Sequence, residues 1–152
     1  MFLGPFFPNV VRQLPVTNVV LADNEASCML RVLCTDAQIM HGMGCVGGQV
    51  LFAVMDTLMT CALHGIPGVT GTLQSSVSFQ RPVAVGLVKG VARVDKINQS
   101  NVFGTVQLFG ADDNLNASAT FVFGRNPAKT EMLTAEMLLS SHIPWVVPDP
   151  NS

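Results

Sequence analysis

Polar and apolar residues change their rhythm along this chain. Residues 69–79 alternate, with Val69, Gly71, Leu73, Val77 and Phe79 opposed by Thr70, Thr72, Gln74, Ser76 and Ser78. Residues 87–97 alternate again, setting Val88, Gly90, Ala92 and Val94 against Lys89, Arg93 and Asp95. A period of two marks a strand with one face buried. Further strands are predicted over residues 102–109 and 116–123, divided by turn residues at 98–101 and 112–114. Upstream, residues 16–22 and 27–34 read as two strands around the turn Asp23-Asn24-Glu25. Short spacers between strands predict hairpins and antiparallel neighbours.

Between the two sets of strands the alternation stops. Residues 48–63 hold Val50, Leu51, Phe52, Ala53, Val54, Met55, Leu58, Met59, Ala62 and Leu63, with no turn residue beyond the first position. That run is too long for a typical strand. Apolar on nearly every side, it predicts a buried helix. His64-Gly65-Ile66-Pro67-Gly68 supplies the stop. Residues 43–63 also approach the length of a membrane span. Gly44, Gly47 and Gly48 crowd the start, however, and Asp56 lies inside; a central Asp costs about 2.5–3.5 kcal/mol in lipid. A glycine loop leading into a buried helix is the better reading, with residues 35–47 as the loop.

The pattern predicts an α+β fold. A mostly antiparallel sheet of about five or six strands wraps around one long buried central helix inserted after the second strand. One domain is expected over residues 1–128. Residues 129–152 form an extension, with a short amphipathic helix over residues 130–140 and a loose tail from 144. A short helical turn is expected at residues 10–14, ended by Pro15.

Charged residues are only 12% of the 152, and apolar residues 49%. About 25% charged is ordinary. A disordered chain is excluded. So few charges leave apolar surface for another subunit to cover, and a homodimer at least, or a homotetramer, is expected. Eight Lys and Arg against ten Asp and Glu give no basic field for nucleic acid. Cys28, Cys34, Cys45 and Cys61 lack CxxC spacing, so no metal site is expected. Residues 1–7 are apolar but short, without a basic start and broken by Pro5, unlike a secretory signal. Reduced thiols in a cytoplasmic protein with no membrane contact are the plain expectation.

Gly42-Met43-Gly44-Cys45-Val46-Gly47 matches GxGxxG, but hairpin-linked strands follow, and Pro67 stands where a dinucleotide site would carry an acid. Asp56 is the sharper signal. A carboxylate deep inside an apolar helix caps nothing, so it needs a partner, such as the hydroxyl of Thr57, Thr60 or Thr72, or a job. Gly48 opens the helix, where N–H groups lack intrahelical acceptors and can hold an oxyanion. Eight residues separate the two, about 12 Å along one helix. One reacting carbonyl needs its groups at about 3 Å. Two antiparallel copies of the helix would bring the start of one against the middle of the other.

Residues 40–63 and 72–86 resemble the hotdog-fold acyl-CoA thioesterases of the phenylacetate-degradation and 4-hydroxybenzoyl-CoA thioesterase type. The resemblance spans about residues 16–125. Its carriers are His41-Gly42-Met43-Gly44-Cys45-Val46-Gly47-Gly48-Gln49, the apolar run to Asp56-Thr57, and then Thr72-Leu73, Phe79, Arg81-Pro82 and Gly86. It implies hydrolysis of an acyl-CoA thioester, with coenzyme A as part of the substrate and no other cofactor. Asp56 would be the catalytic base or nucleophile, and Gly48 the N–H that polarises the carbonyl. His41 stands where the family often has Asn, and Thr72 where some members position water. Gly47, Gln49, Thr57, Arg81 and Pro82 would contact substrate. Gly47 departs from the common His. These departures leave a non-catalytic acyl-CoA or acyl-ligand binding protein as the alternative. A hotdog dehydratase needs a site His paired with an acid in another arrangement, which is not found.

Overall fold

Both sets of alternating segments end in one sheet. The computed structural model describes residues 16–32, 39–40, 45–46, 48–83, 86–110 and 112–134. In chain order these form β1 (Val16–Ala22), β2 (Glu25–Val32), β3 (Ile39–Met40), β4 (Cys45–Val46), α1 (Gly48–Ala62), β5 (Val69–Phe79), β6 (Gly86–Ile97), β7 (Asn101–Phe109) and β8 (Leu115–Arg125). Six strands pair antiparallel in the order β1-β2-β6-β7-β8-β5. This is the hotdog architecture. Within the expected loop, β3 and β4 pair into a small ribbon just ahead of α1. At 15 residues, α1 is the expected long helix and yet falls short of the roughly 20 residues of a membrane span. Among the described residues no helix is long and apolar enough to cross a membrane. The turn expected at residues 10–14, the tail from 144 and the apolar start lie outside the described residues.

Helix α1 lies across β2, β6 and β7. Small residues beneath it make the trough. A Cβ added at Gly90 would come within 2.9 Å of Leu58, and one at Gly104 would overlap the Met59 thioether. Val54, Met55, Leu58, Met59, Cys61 and Ala62 are therefore fully buried. Each large side chain among them contributes about 1.5–3 kcal/mol by leaving water. On β8 the Phe121 ring stacks on Phe52 of α1 at 6.0 Å and on Phe123 at 5.9 Å.

Two expectations fail. The spacer between β5 and β6 is short enough for a hairpin, yet the strands do not pair. The chain leaves β5 at one edge and crosses so that β6 inserts between β2 and β7. Strict alternation along β5 also fails, because the register slips between Thr72 and Gln74. Such a bulge turns the side chains before it to the opposite face. Thr72 pairs with Phe123, Ser75 with Phe121, Val77 with Ala119 and Phe79 with Ala117. Since Phe123, Phe121, Ala119 and Ala117 belong to the core, Thr72 joins the helix side. Leu73 leaves it and is 65% exposed.

The helix stop is built on Gly65 and Gly68, both at φ 79°, a left-handed conformation that suits glycine. The Gly65 N–H donates to Leu133 O at 2.6 Å, and the Gly68 N–H to Glu131 O at 2.9 Å. The segment after β8 is thereby strapped to the end of α1. Over residues 130–134 there is no helix; the rest of the expected 130–140 helix lies outside the described residues.

Candidate active site

At positions 48, 52, 56 and 60 a single stripe runs down α1, because a spacing of four returns to one helix face. Gly48, Phe52, Asp56 and Thr60 are all half-buried, whereas the opposite flank is buried completely. The stripe borders β5. At its start Gly48 faces the Phe79 ring, which a Cβ would meet at 3.3 Å. Near its end Thr60 shares a cavity with Thr72 and Phe123. Asp56 therefore sits midway along the gap between the helix and the edge strand.

Its carboxyl is not consumed by neighbouring hydroxyls. Thr57 Oγ1 donates to Ala53 O at 2.7 Å, and Thr60 Oγ1 donates to the Asp56 backbone carbonyl at 3.0 Å. Among the described residues nothing hydrogen-bonds the Asp56 carboxylate. Burial lifts its pKa above the ordinary carboxylate value, because the charged form loses hydration. A base with a raised pKa holds a proton more readily at the moment of transfer.

The other expected residues fall in distinct places. No acidic residue occupies the first turn of α1, so its N–H groups and positive dipole end are not offset by an acid within that turn. Gln49 belongs to that first turn by its backbone. Thr57 is buried, with its hydroxyl spent on the helix. Arg81 and Pro82 follow Phe79 at the Gly48 end. Arg81 is exposed and pairs loosely with Asp112 at 3.4 Å, a contact too solvated to hold it firmly. The Pro82 carbonyl accepts from Asn116 Nδ2 at 3.0 Å. His41 and Gly47 lie outside the described residues. Within one chain, Gly48 and Thr72 thus mark opposite ends of the gap, with Asp56 between them.

Cysteine chemistry is disfavoured at the two described thiols. Cys28 and Cys61 are buried and free, and burial pushes both up to about 12, so neither forms a thiolate near neutrality. His64 Nδ1 lies 2.8 Å from Cys61 O at the helix end.

The cavity beside Thr72 measures about 190 Å³ and continues past Leu63 and Ile66 to Met132 and Leu133. Sequence reasoning assigned no role to Thr60, Met132 or Leu133 there. The four-residue spacing from Asp56 was a usable signal for Thr60. No periodicity marks the strap residues, which are placed by backbone hydrogen bonds.

Comparisons with known proteins agree with this fold. Residues 43–117 match the family described as the thioesterase superfamily. A Thermoplasma volcanium protein provisionally named an esterase is 27% identical over 120 residues, covering 78% of this chain and 80% of its own. A Ralstonia eutropha phenylacetic-acid-degradation-related protein, provisionally named a thioesterase, is 25% identical with a TM-score of 0.63. That match covers 77% of this chain and 89% of the other. A hypothetical thioesterase of Streptococcus pneumoniae, solved with coenzyme A, has a TM-score of 0.65 at 15% identity, covering 78% and 88%.

Proposed function

We propose that this chain, whose residues 43–117 match the thioesterase superfamily, hydrolyses an acyl-CoA thioester with Asp56 as the base. One observation carries the reading. In a helix with no other charged side chain, a single carboxylate lies half-buried on the flank toward β5, with no partner among the described residues. The coenzyme A seen with the Streptococcus pneumoniae relative supports this substrate class.

In the proposed reaction a water oxygen attacks the thioester carbonyl carbon while Asp56 takes the water proton. The carbonyl oxygen, now negative, is held by the Gly48 N–H. Collapse breaks the C–S bond, and Asp56 returns its proton to the departing thiolate. The products are a free acid and coenzyme A. Thr72, on the helix-side face of β5, positions the water. Gln49, Arg81 and Pro82, with His41 and Gly47, are assigned to substrate on their positions in the chain.

Gly48 and Asp56 of one chain are about 12 Å apart along α1, so the Gly48 that serves Asp56 belongs to a second copy. The open edge of β5 supports this. Among the described residues it has no neighbour beyond β8; it spans 11 residues and carries neither proline nor charge. Left bare, such an edge invites pairing with another chain. A two-fold pair would set the two helices antiparallel and build two equal sites.

The test is thiol release from a panel of acyl-CoAs by wild type and by Asp56→Asn. Loss of about 10³-fold in kcat with unchanged circular dichroism is expected. An Asp56→Asn protein as active as wild type would overturn the assignment. Tight acyl-CoA binding by wild type with no thiol release would instead select the non-catalytic binding protein.

A further inference from the structure

The cavity at the far end of the stripe has a location and a wall that suggest a use. It opens one helical turn beyond Asp56, at Thr60, which is about 6 Å along the axis. Thr60, Thr70 and Thr72 bring hydroxyls to its lining, and the buried Leu63, Ile66 and Phe123 bring apolar side chains. Its outer wall is not part of the sheet or the helix. That wall is the strap, Glu131 to Leu133, pinned by the hydrogen bonds from Gly65 and Gly68. Those two glycines stand at φ 79°, and a Cβ at Gly68 would overlap the Asn126 carbonyl, so the strap has a defined seat. Met132 lines the cavity and is still 42% exposed. An apolar side chain so placed gains cover when an apolar ligand fills the space beside it.

We propose that this cavity receives the acyl tail and that the strap, through Met132 and Leu133, gauges its length. The inference rests on the hydrolytic reading above. With the thioester carbonyl at Asp56, the tail runs past Thr60 and Thr72 toward Leu63 and ends against the strap. An apolar void of about 150 Å³ takes a benzene ring. The cavity of about 190 Å³ therefore takes a tail of about eight carbons, and not one of palmitoyl length. The strap lies beyond the region matched by the family model, residues 43–117.

The experiment compares wild type, Met132→Ala and Met132→Trp on straight-chain acyl-CoAs from acetyl to palmitoyl. In wild type, kcat/KM should rise about fourfold with each CH₂ that finds room and fall once the tail passes about eight carbons. Met132→Ala should move the maximum to longer chains and Met132→Trp to shorter ones. The same three proteins carrying Asp56→Asn are titrated calorimetrically with the same acyl-CoAs, so that binding is read apart from turnover. A maximum that ignores both Met132 substitutions, in rate and in binding, overturns the gauge. If wild type hydrolyses no acyl-CoA, the hydrolytic reading falls and the calorimetric series decides alone. A length optimum that follows the Met132 substitution upholds the gauge, and an unmoved one sinks it.

Discussion

Strands β7 and β5 read alike as sequence and are covered differently. Along β7 every second residue is buried, from Val102 through Val106 to Leu108. Along β5 only Val69 and Val77 are even half-buried. Neighbours account for the difference. β7 lies between β6 and β8 beneath α1, while β5 is the outer strand, paired among the described residues with β8 alone. Alternation records which face a strand is meant to bury, and not what buries it. On β7 the cover is the chain's own helix. On β5 we assign it to a second copy, and the proposed catalytic gap lies on that same uncovered side.

The contrast can be broken from either strand. Leu108 is fully buried on β7, so Leu108→Ala should cost about 3 kcal/mol in urea unfolding, for want of any replacement contact. Ser76→Lys on β5 should leave the single-chain fold intact, because Ser76 is exposed on the face away from α1. A charge on an edge strand opposes pairing with a second edge. Sedimentation should then show monomer at concentrations where wild type is dimeric, with thiol release lost in parallel. A dimeric, fully active Ser76→Lys protein would remove β5 from the interface.

A smaller effect comes from Asp56 itself. Its raised pKa means that the folded protein holds the proton more tightly than the unfolded chain. The stability linked to this group is complete below the unfolded value of about 3.9 and is lost as pH rises through the folded value. Asp56→Asn should melt above wild type at neutral pH, and the gap should close in acid. The same shift places the acid limb of kcat/KM above the ordinary carboxylate range, since the base must be unprotonated to act. Differential scanning calorimetry and a pH–rate profile read the two.

Much of the fold was legible because the chain changes period where its structure changes. The six long strands and α1 all lie where alternation or its absence put them. The β5-to-β6 crossover was not legible, since residues 80–85 have the length of a hairpin spacer and nothing in them says which strand comes next. The bulge at Thr72 was hidden as well. One unpaired residue leaves no mark on composition, yet it exchanges the faces of Thr72 and Leu73. Asp56 stood out because a carboxylate in an apolar helix violates the local pattern. Met132 and Leu133 did not, because two apolar residues in a polar stretch read as a helix face. They are held instead through the backbone N–H groups of Gly65 and Gly68, which side-chain pattern cannot reveal.

Whether Asp56 works with the Gly48 of another copy is decided by mixing two inactive proteins. Gly48→Pro removes the N–H while keeping the first helical position, where proline is accepted, and Asp56→Asn removes the base. Each alone should be inactive. Co-expressed in equal amounts, they should form mixed dimers with one intact site each, and thiol release should return to about a quarter of wild type. Mixed dimers that assemble and stay inactive would contradict a site shared between subunits.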